Sequence, residues 1–159
     1  LHRNERRLKR LQRAVARKQK GSQRRKKAAN QLARLHERIA NQRKESTHQV
    51  SRYLVNRYGF IAFEQLNTLG MMQNHHLARS IADAGWNQLV QYTTYKAERA
   101  GRVVVLVSPH NTSQNCSRCG QIVKKTLAVR THRCEHCGYT ADRDVNAAIN
   151  ILQRARTSS

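Results

Sequence analysis

The 159-residue chain carries 31 Lys and Arg against nine Asp and Glu, a formal net charge of +22. Self-repulsion on that scale calls for a polyanionic partner, nucleic acid above all. An aromatic content of 5% argues against reading bases by stacking and for gripping phosphates. The longest apolar run, Val103 to Val107, is far too short to span a membrane, so no membrane partner is expected.

In chain order, residues 1–50 hold 17 Lys and Arg against Glu5, Glu37 and Glu45. Leu8, Leu11 and Val15 recur at helical spacing, Gly21-Ser22 interrupts, and Leu32, Leu35 and Ile39 resume the period, which Val50 and Leu54 carry toward Tyr58. This pattern predicts two basic helices in a hairpin, the second long, over residues 1–57. A solvated charged pair is the bland reading. The shortage of compensating acids favours phosphate contact, with Arg6, Arg10, Arg13, Arg17, Arg24, Arg25, Lys26 and Lys27 as candidates. The chain opens on Leu1 inside this charged pattern and is expected to be a piece of something longer.

Phe60 to Phe63 then reads as a strand ending at Glu64. After a polar connector through Gly70 and His75-His76, Ser80 is placed to cap a helix beginning Ile81-Ala82-Asp83, with Asp83 as its capping-box acid. Ile81, Trp86, Leu89, Val90 and Tyr95 would be its buried side, and Gly101 its stop. Val103 to Val107 is continuous apolar sequence, as in a strand covered on both faces, and Pro109 ends it. Strand, helix, strand predicts a βαβ unit with parallel strands. Asp142 to Arg156 reads as a last helix packing through Val145, Ala148, Ile149, Ile151 and Leu152.

All four cysteines fall in two knuckles, Cys116-Ser117-Arg118-Cys119-Gly120 and Cys134-Glu135-His136-Cys137-Gly138. CxxC, a spacer and CxxC is the pattern of a closed tetrahedral zinc site, and the glycines let each turn close under the metal. The fourteen residues between Cys119 and Cys134 allow a short β-hairpin joining the knuckles. No signal-peptide pattern opens the chain, so ligated cytosolic thiols are preferred to two disulfides or a redox pair. His110, His132 and His136 are expected to touch phosphate or solvent.

Acids are scarce, which singles out Glu64 at a strand's carboxyl end and the pair Asp142 and Asp144 at the start of the last helix. Carboxylates converging on Mg²⁺ are what two-metal phosphodiester chemistry needs. For Asp142 or Asp144 the alternative is a helix cap or first-turn acid, and for Glu64 a surface acid at a strand end.

Glu64-Gln65-Leu66-Asn67, Thr112-Ser113-Gln114-Asn115 with the first knuckle, the second knuckle, and Asp142-Arg143-Asp144-Val145-Asn146-Ala147-Ala148-Ile149-Asn150-Ile151 together resemble the C-terminal half of TnpB, the OrfB-type transposase-associated family related to miniature type V CRISPR effectors. The resemblance extends over essentially the whole chain, including Ala84-Gly85-Trp86 and the basic helices. It implies an α/β fold: a partial RNase H-like (RuvC) core at 58–109 and 141–156, with a four-cysteine zinc ribbon inserted at 110–140. It also implies guide RNA and DNA as partners, structural Zn²⁺ on Cys116, Cys119, Cys134 and Cys137, Mg²⁺-dependent DNA cleavage associated with transposition, and a cytoplasmic, nucleoid-associated location. Glu64 matches the middle catalytic carboxylate and Asp144, before x-Asn-Ala-Ala, the last. The family's first catalytic Asp, which lies upstream of the basic helices, has no counterpart in this sequence, so the chain alone is expected not to cut. The alternative is a non-catalytic zinc-ribbon protein that binds DNA or RNA.

Overall fold

The computed structural model of the protein describes residues 2–68, 85–126 and 128–157. The chain divides into two compact units, Leu1–Gln49 and Val50–Ser159.

The first unit is built from α1 (His2–Ala16) and most of α2 (Gln23–Arg57). The apolar positions of α1, Leu8, Leu11 and Val15, are half-buried, while Ala28, Leu35 and Ile39 of α2 are buried. The helices run antiparallel, as Asn4 Nδ2 donates to Gln42 Oε1 at 2.9 Å and Leu11 and Leu35 line one cleft. The break falls where Gly21-Ser22 predicts it. Gly21 takes φ 83°, and Ser22 caps α2 by accepting the Arg25 amide on Oγ at 3.2 Å while donating to the Gln19 carbonyl at 2.8 Å.

The second unit begins with the last turns of α2. Its core is Val55, Ile61, Phe63 and Ala97, with Leu54, Trp86, Leu89, Val90 and Val104 packed against it. β1 (Phe60–Glu64) and β2 (Val103–Val107) pair in parallel, with Phe60 opposite Val103 and Glu64 opposite Val107. Between them in sequence, α3 (Trp86–Arg99) packs on β2, as the βαβ pattern requires. Gly85 precedes α3 in the left-handed region at φ 59°. The expected cap at Ser80 and Asp83 lies outside the described residues. At the other end, the Arg102 amide reaches the Ala97 carbonyl at 2.8 Å and the Gly101 amide reaches Glu98 at 3.2 Å, with Gly101 at φ 63°. That is a Schellman ending, and it stops the helix where Gly101 predicts.

Two expectations about burial change. β2 is not covered on both faces among the described residues, since Val103 is 50% and Leu106 46% exposed. On α3 the fully buried positions are Thr93, Lys96 and Ala97. Polar Thr93 enters the core by returning its hydroxyl to the Leu89 carbonyl at 2.8 Å, and Lys96 by donating to Ser51 Oγ at 2.6 Å between the rings of Tyr92 and Tyr95.

Beyond β2 come β3 (Thr131–Arg133) and β4 (Thr140–Asp142), an antiparallel pair, and then α4 (Arg143–Thr157), which packs on β1 and β2. α4 starts one residue later than its sequence pattern suggests because Asp142 ends β4 and caps the helix, accepting the Asp144 and Val145 amides on Oδ1 at 2.7 and 3.3 Å. Its buried face is also rotated from expectation: Val145 is 53% exposed, whereas Asn146 and Ala155 are wholly buried. No helix among the described residues is long and apolar enough to cross a membrane.

Candidate functional site

The two knuckles are built alike. The Cys116 amide donates to the Gln121 carbonyl and the Gly120 amide to the Cys116 carbonyl, both at 2.8 Å; Cys134 with Tyr139, and Gly138 with Cys134, repeat the pattern at 2.9 Å. Gly120 and Gly138 sit at φ 78° and 73°, where a side chain would be strained. Each knuckle closes its own small ladder, the first through the Asn115–Ile122 bridge and the second between β3 and β4. The expected hairpin across the fourteen-residue spacer is therefore replaced by one flanking the second knuckle. A bonded turn at each cysteine pair already aims both sulfurs inward, so the spacer need only return the chain.

These turns bring the four sulfurs within 4.8 Å of one another. The closest pairs, Cys116 with Cys137 and Cys119 with Cys134, are 3.6 Å apart. A disulfide would need about 2.05 Å, so all four thiols are free. Sulfurs about 2.3 Å from one tetrahedral ion lie about 3.8 Å apart, and the cluster fits a metal ion such as zinc with every coordination position filled. The thiols are electrostatically unlike one another. Amide donation from Cys137, opposed by burial and aided by the Cys119 thiol and the His136 amide, draws Cys134 down from 9.0 to about 7. At Cys119 the Gln121 amide also favours the thiolate, but burial and the three neighbouring thiols outweigh it and push the group up to about 12. Sulfurs this close resist joint ionisation until a cation is among them.

His132 is not available to phosphate or solvent, as it is 0% exposed on β3. Burial, with the Lys125 cation beside it, lowers its pKa and keeps the ring neutral. Nδ1 therefore accepts from Lys125 Nζ, and the ring also packs against Tyr139. His110 and His136 are exposed.

Of the candidate carboxylates, Glu64 ends β1 and is half-buried. Its backbone carbonyl accepts from Trp86 Nε1 at 3.2 Å, and Trp86 stands edge-on to Phe63 with centroids 5.6 Å apart. Its side-chain Oε1 accepts the Thr112 hydroxyl at 2.5 Å, a contact that no sequence pattern announces. Asp144 lies in the first turn of α4 with its side chain 72% exposed, 3.3 Å from Arg143 Nε and 4.0 Å from an Arg130 guanidinium nitrogen. Asp142 is the helix cap. α4 packs on the two-stranded sheet that carries Glu64, and Asp144 stands in the first turn of that helix. Glu64 Oε2 has no hydrogen-bond partner among the described residues, and Asp144 is open to solvent. Both are thus able to ligate a hard cation.

The basic candidates differ in exposure. Arg6, Arg10, Arg13, Arg17, Arg24, Lys26 and Lys27 are exposed, whereas Arg25 is half-buried and ties Nη1 to the Lys18 carbonyl at 3.2 Å. Asn4, Arg6, Arg7, Arg10 and Arg38 line one cleft of the first unit, and Arg34 joins Arg7, Arg10 and Arg38 along another. Arg7, Arg34 and Arg38 enter this set only through the helix pairing. Helical spacing of Arg34 and Arg38 is the one sequence signal that marks them.

Residues 1–75 match the family described as "Probable transposase" and residues 86–151 the "Cas12f1-like, TNB domain". The chain belongs to the TnpB/OrfB-type family. A "Putative RNA-guided DNA endonuclease" from Streptomyces pristinaespiralis is 40% identical over 155 residues, which cover 96% of this chain and 38% of that protein. The "Putative RNA-guided DNA endonuclease InsQ" of Escherichia coli K12 is 36% identical, with 94% and 41% covered, and the "CRISPR-associated endodeoxyribonuclease Cas12f1" of Sulfoacidibacillus thermotolerans is 34% identical, with 83% and 32% covered. The TnpB-like chain thus spans well under half the length of these relatives. Its fold recurs in a CRISPR-Cas12f ternary complex, at TM-score 0.69 and 20% identity over 92% of this chain and 31% of that one. It recurs also in a Cas12f1–sgRNA–target DNA complex, at TM-score 0.60 and 22% identity over 76% and 36%.

Proposed function

We propose that the chain is the later part of a transposon-encoded, RNA-guided DNA endonuclease, in which β1, α3, β2 and α4 belong to an RNase H-like (RuvC) core, residues 110–140 form the inserted zinc ribbon, and residues 1–57 form a basic hairpin. The single observation that carries this reading is Glu64 at the carboxyl end of β1, on the sheet against which the helix with Asp144 in its first turn packs. Glu64 and Asp144 supply two carboxylate ligands, and a third completes the site from outside these 159 residues. Bound Mg²⁺ would supply water activation and charge stabilisation at the leaving oxygen. The exposed Arg and Lys of α1 and α2 hold phosphates of guide RNA or of its duplex with DNA. The four thiolates hold Zn²⁺, which fixes the loop preceding α4 and takes no part in the chemistry.

A cleavage assay with Mg²⁺, guide RNA and target DNA tests the reading. The chain alone should not cut. Joined to the upstream polypeptide of the Streptomyces relative, it should cut, and Glu64→Ala or Asp144→Ala should each lower the rate by more than about 100-fold, beyond the usual cost of removing a group that only orients a ligand. Cutting that survives both substitutions refutes it. The second reading, a non-catalytic zinc-ribbon protein binding DNA or RNA, draws support from Asp144 itself, which pairs with Arg143 and Arg130 as a structural first-turn acid would. It predicts nucleic-acid binding but no cutting in the joined protein.

A further inference from the structure

The loop after β2 carries a side chain with no role in the reading above. Thr112 is 3% exposed, 48 residues from Glu64 in sequence, and its hydroxyl lies 2.5 Å from Glu64 Oε1 and 3.1 Å from the Pro109 carbonyl. A hydroxyl has one proton to give. The shorter contact to a charged oxygen takes it, at the length expected of an O–H···O⁻ bond. The threonine is itself fixed. Asn150 Nδ2 on α4 donates to the Thr112 carbonyl at 2.8 Å and to the Asn115 carbonyl at 2.7 Å. Arg154 holds the start of the loop through the Ser108 and His110 carbonyls at 2.5 and 3.1 Å. Asn111 makes the turn between them at φ 57°, a left-handed position that asparagine tolerates better than most residues. The backbone at Thr112 therefore has no freedom to swing, and β-branching restricts its χ1.

We propose that Thr112 is a positioning residue for Glu64. Its hydroxyl pins Oε1, so the carboxylate keeps one rotamer and presents Oε2 to a divalent cation. Carboxylate ligands are commonly oriented by such hydrogen bonds, and losing one weakens metal binding about 10-fold or more. The inference rests on the reading of Glu64 as a cation ligand, and the test separates the two.

The zinc-loaded full chain, labelled with ¹³C at glutamate, is compared with its Thr112→Val and Thr112→Ser variants. The readouts are the Glu64 carboxyl ¹³C shift, assigned by its loss in Glu64→Gln, and the Mn²⁺ affinity. Thr112→Val, equal in shape but without the hydroxyl, should move the Glu64 resonance and weaken Mn²⁺ about 10-fold, while Thr112→Ser restores both. Retention of one zinc per chain shows that each variant is folded, and Thr112→Ala replaces valine if that variant is not. An unmoved Glu64 resonance overturns the contact. A moved resonance with unchanged Mn²⁺ affinity makes the bond merely structural and overturns the positioning role. If Glu64→Gln itself leaves Mn²⁺ affinity unchanged, the cation-ligand reading falls, and Thr112 with it, on a different variant from the one that tests the hydroxyl.

Discussion

Asn146 is wholly buried on α4 and uses both ends of its amide, accepting from the Ser117 amide at 2.9 Å and donating to the Asn115 carbonyl at 2.8 Å. With Asn150 four residues on and Gln153 donating to the Ser117 carbonyl at 3.3 Å, it forms a polar row that clips the residues around Cys116 to the helix. Asn146→Leu keeps the volume roughly but strands a buried amide. It should cost about 1–3 kcal/mol, read as a lower denaturation midpoint of the zinc-loaded chain by fluorescence of Trp86, the only tryptophan; an unchanged midpoint would show that water replaces the amide. At this scale sequence reasoning located Asn146 only as part of the x-Asn-Ala-Ala segment that follows Asp144. Partners 31 and 29 residues away leave no periodic trace, so an asparagine that belongs inside looks like one that belongs outside. His132 misleads in the same way, since a buried imidazole depends on Lys125 and Tyr139 rather than on its own neighbours in sequence.

Helices were the most legible elements, because apolar period and punctuation agree in them. Leu8, Leu11 and Val15, then Gly21-Ser22, then Leu32, Leu35 and Ile39 mark both basic helices, and Gly101 marks the end of α3 through the left-handed turn it permits. β1 and β2 were legible too, and their parallel pairing follows from the helix between them. Less legible was the phase of α4, where hydrogen bonds to the loop outweigh the apolar stripe and turn Val145 outward. The basic face belongs to this scale as well. Arg6 and Arg10 are exposed, stand one turn apart on α1 and share a cleft with Arg7 and Arg38. Arg6→Ala with Arg10→Ala should leave helicity unchanged, weaken RNA binding and lower the slope of log K against log salt by about 1.5, as loss of two phosphate contacts implies. An unaltered slope would assign phosphate contact to other residues.

Across the molecule, composition and site point the same way. A charge of +22 suits a polyanion, four clustered cysteines that fit a metal ion precede α4, and Glu64 and Asp144 are two of only nine acids. Four sulfurs around one tetrahedral ion leave no position for a substrate, whereas in the proposed reading Glu64 Oε2 and the exposed Asp144 are open to a cation. The sequence alone conveyed the four cysteines that cluster, and it proposed Glu64 and Asp144 as the carboxylates. It did not convey Thr112, because a hydroxyl that crosses from a loop to a strand end is set by tertiary contact alone. The central claim is that the cation site lies at Glu64 and Asp144 and not at the cysteines. Paramagnetic broadening of amide signals on adding Mn²⁺ to the zinc-loaded chain measures this directly. Broadening should centre on residues 63–65 and 143–145 and vanish in the Glu64→Gln, Asp144→Asn double variant; broadening that centres elsewhere, or persists in that variant, would contradict the account.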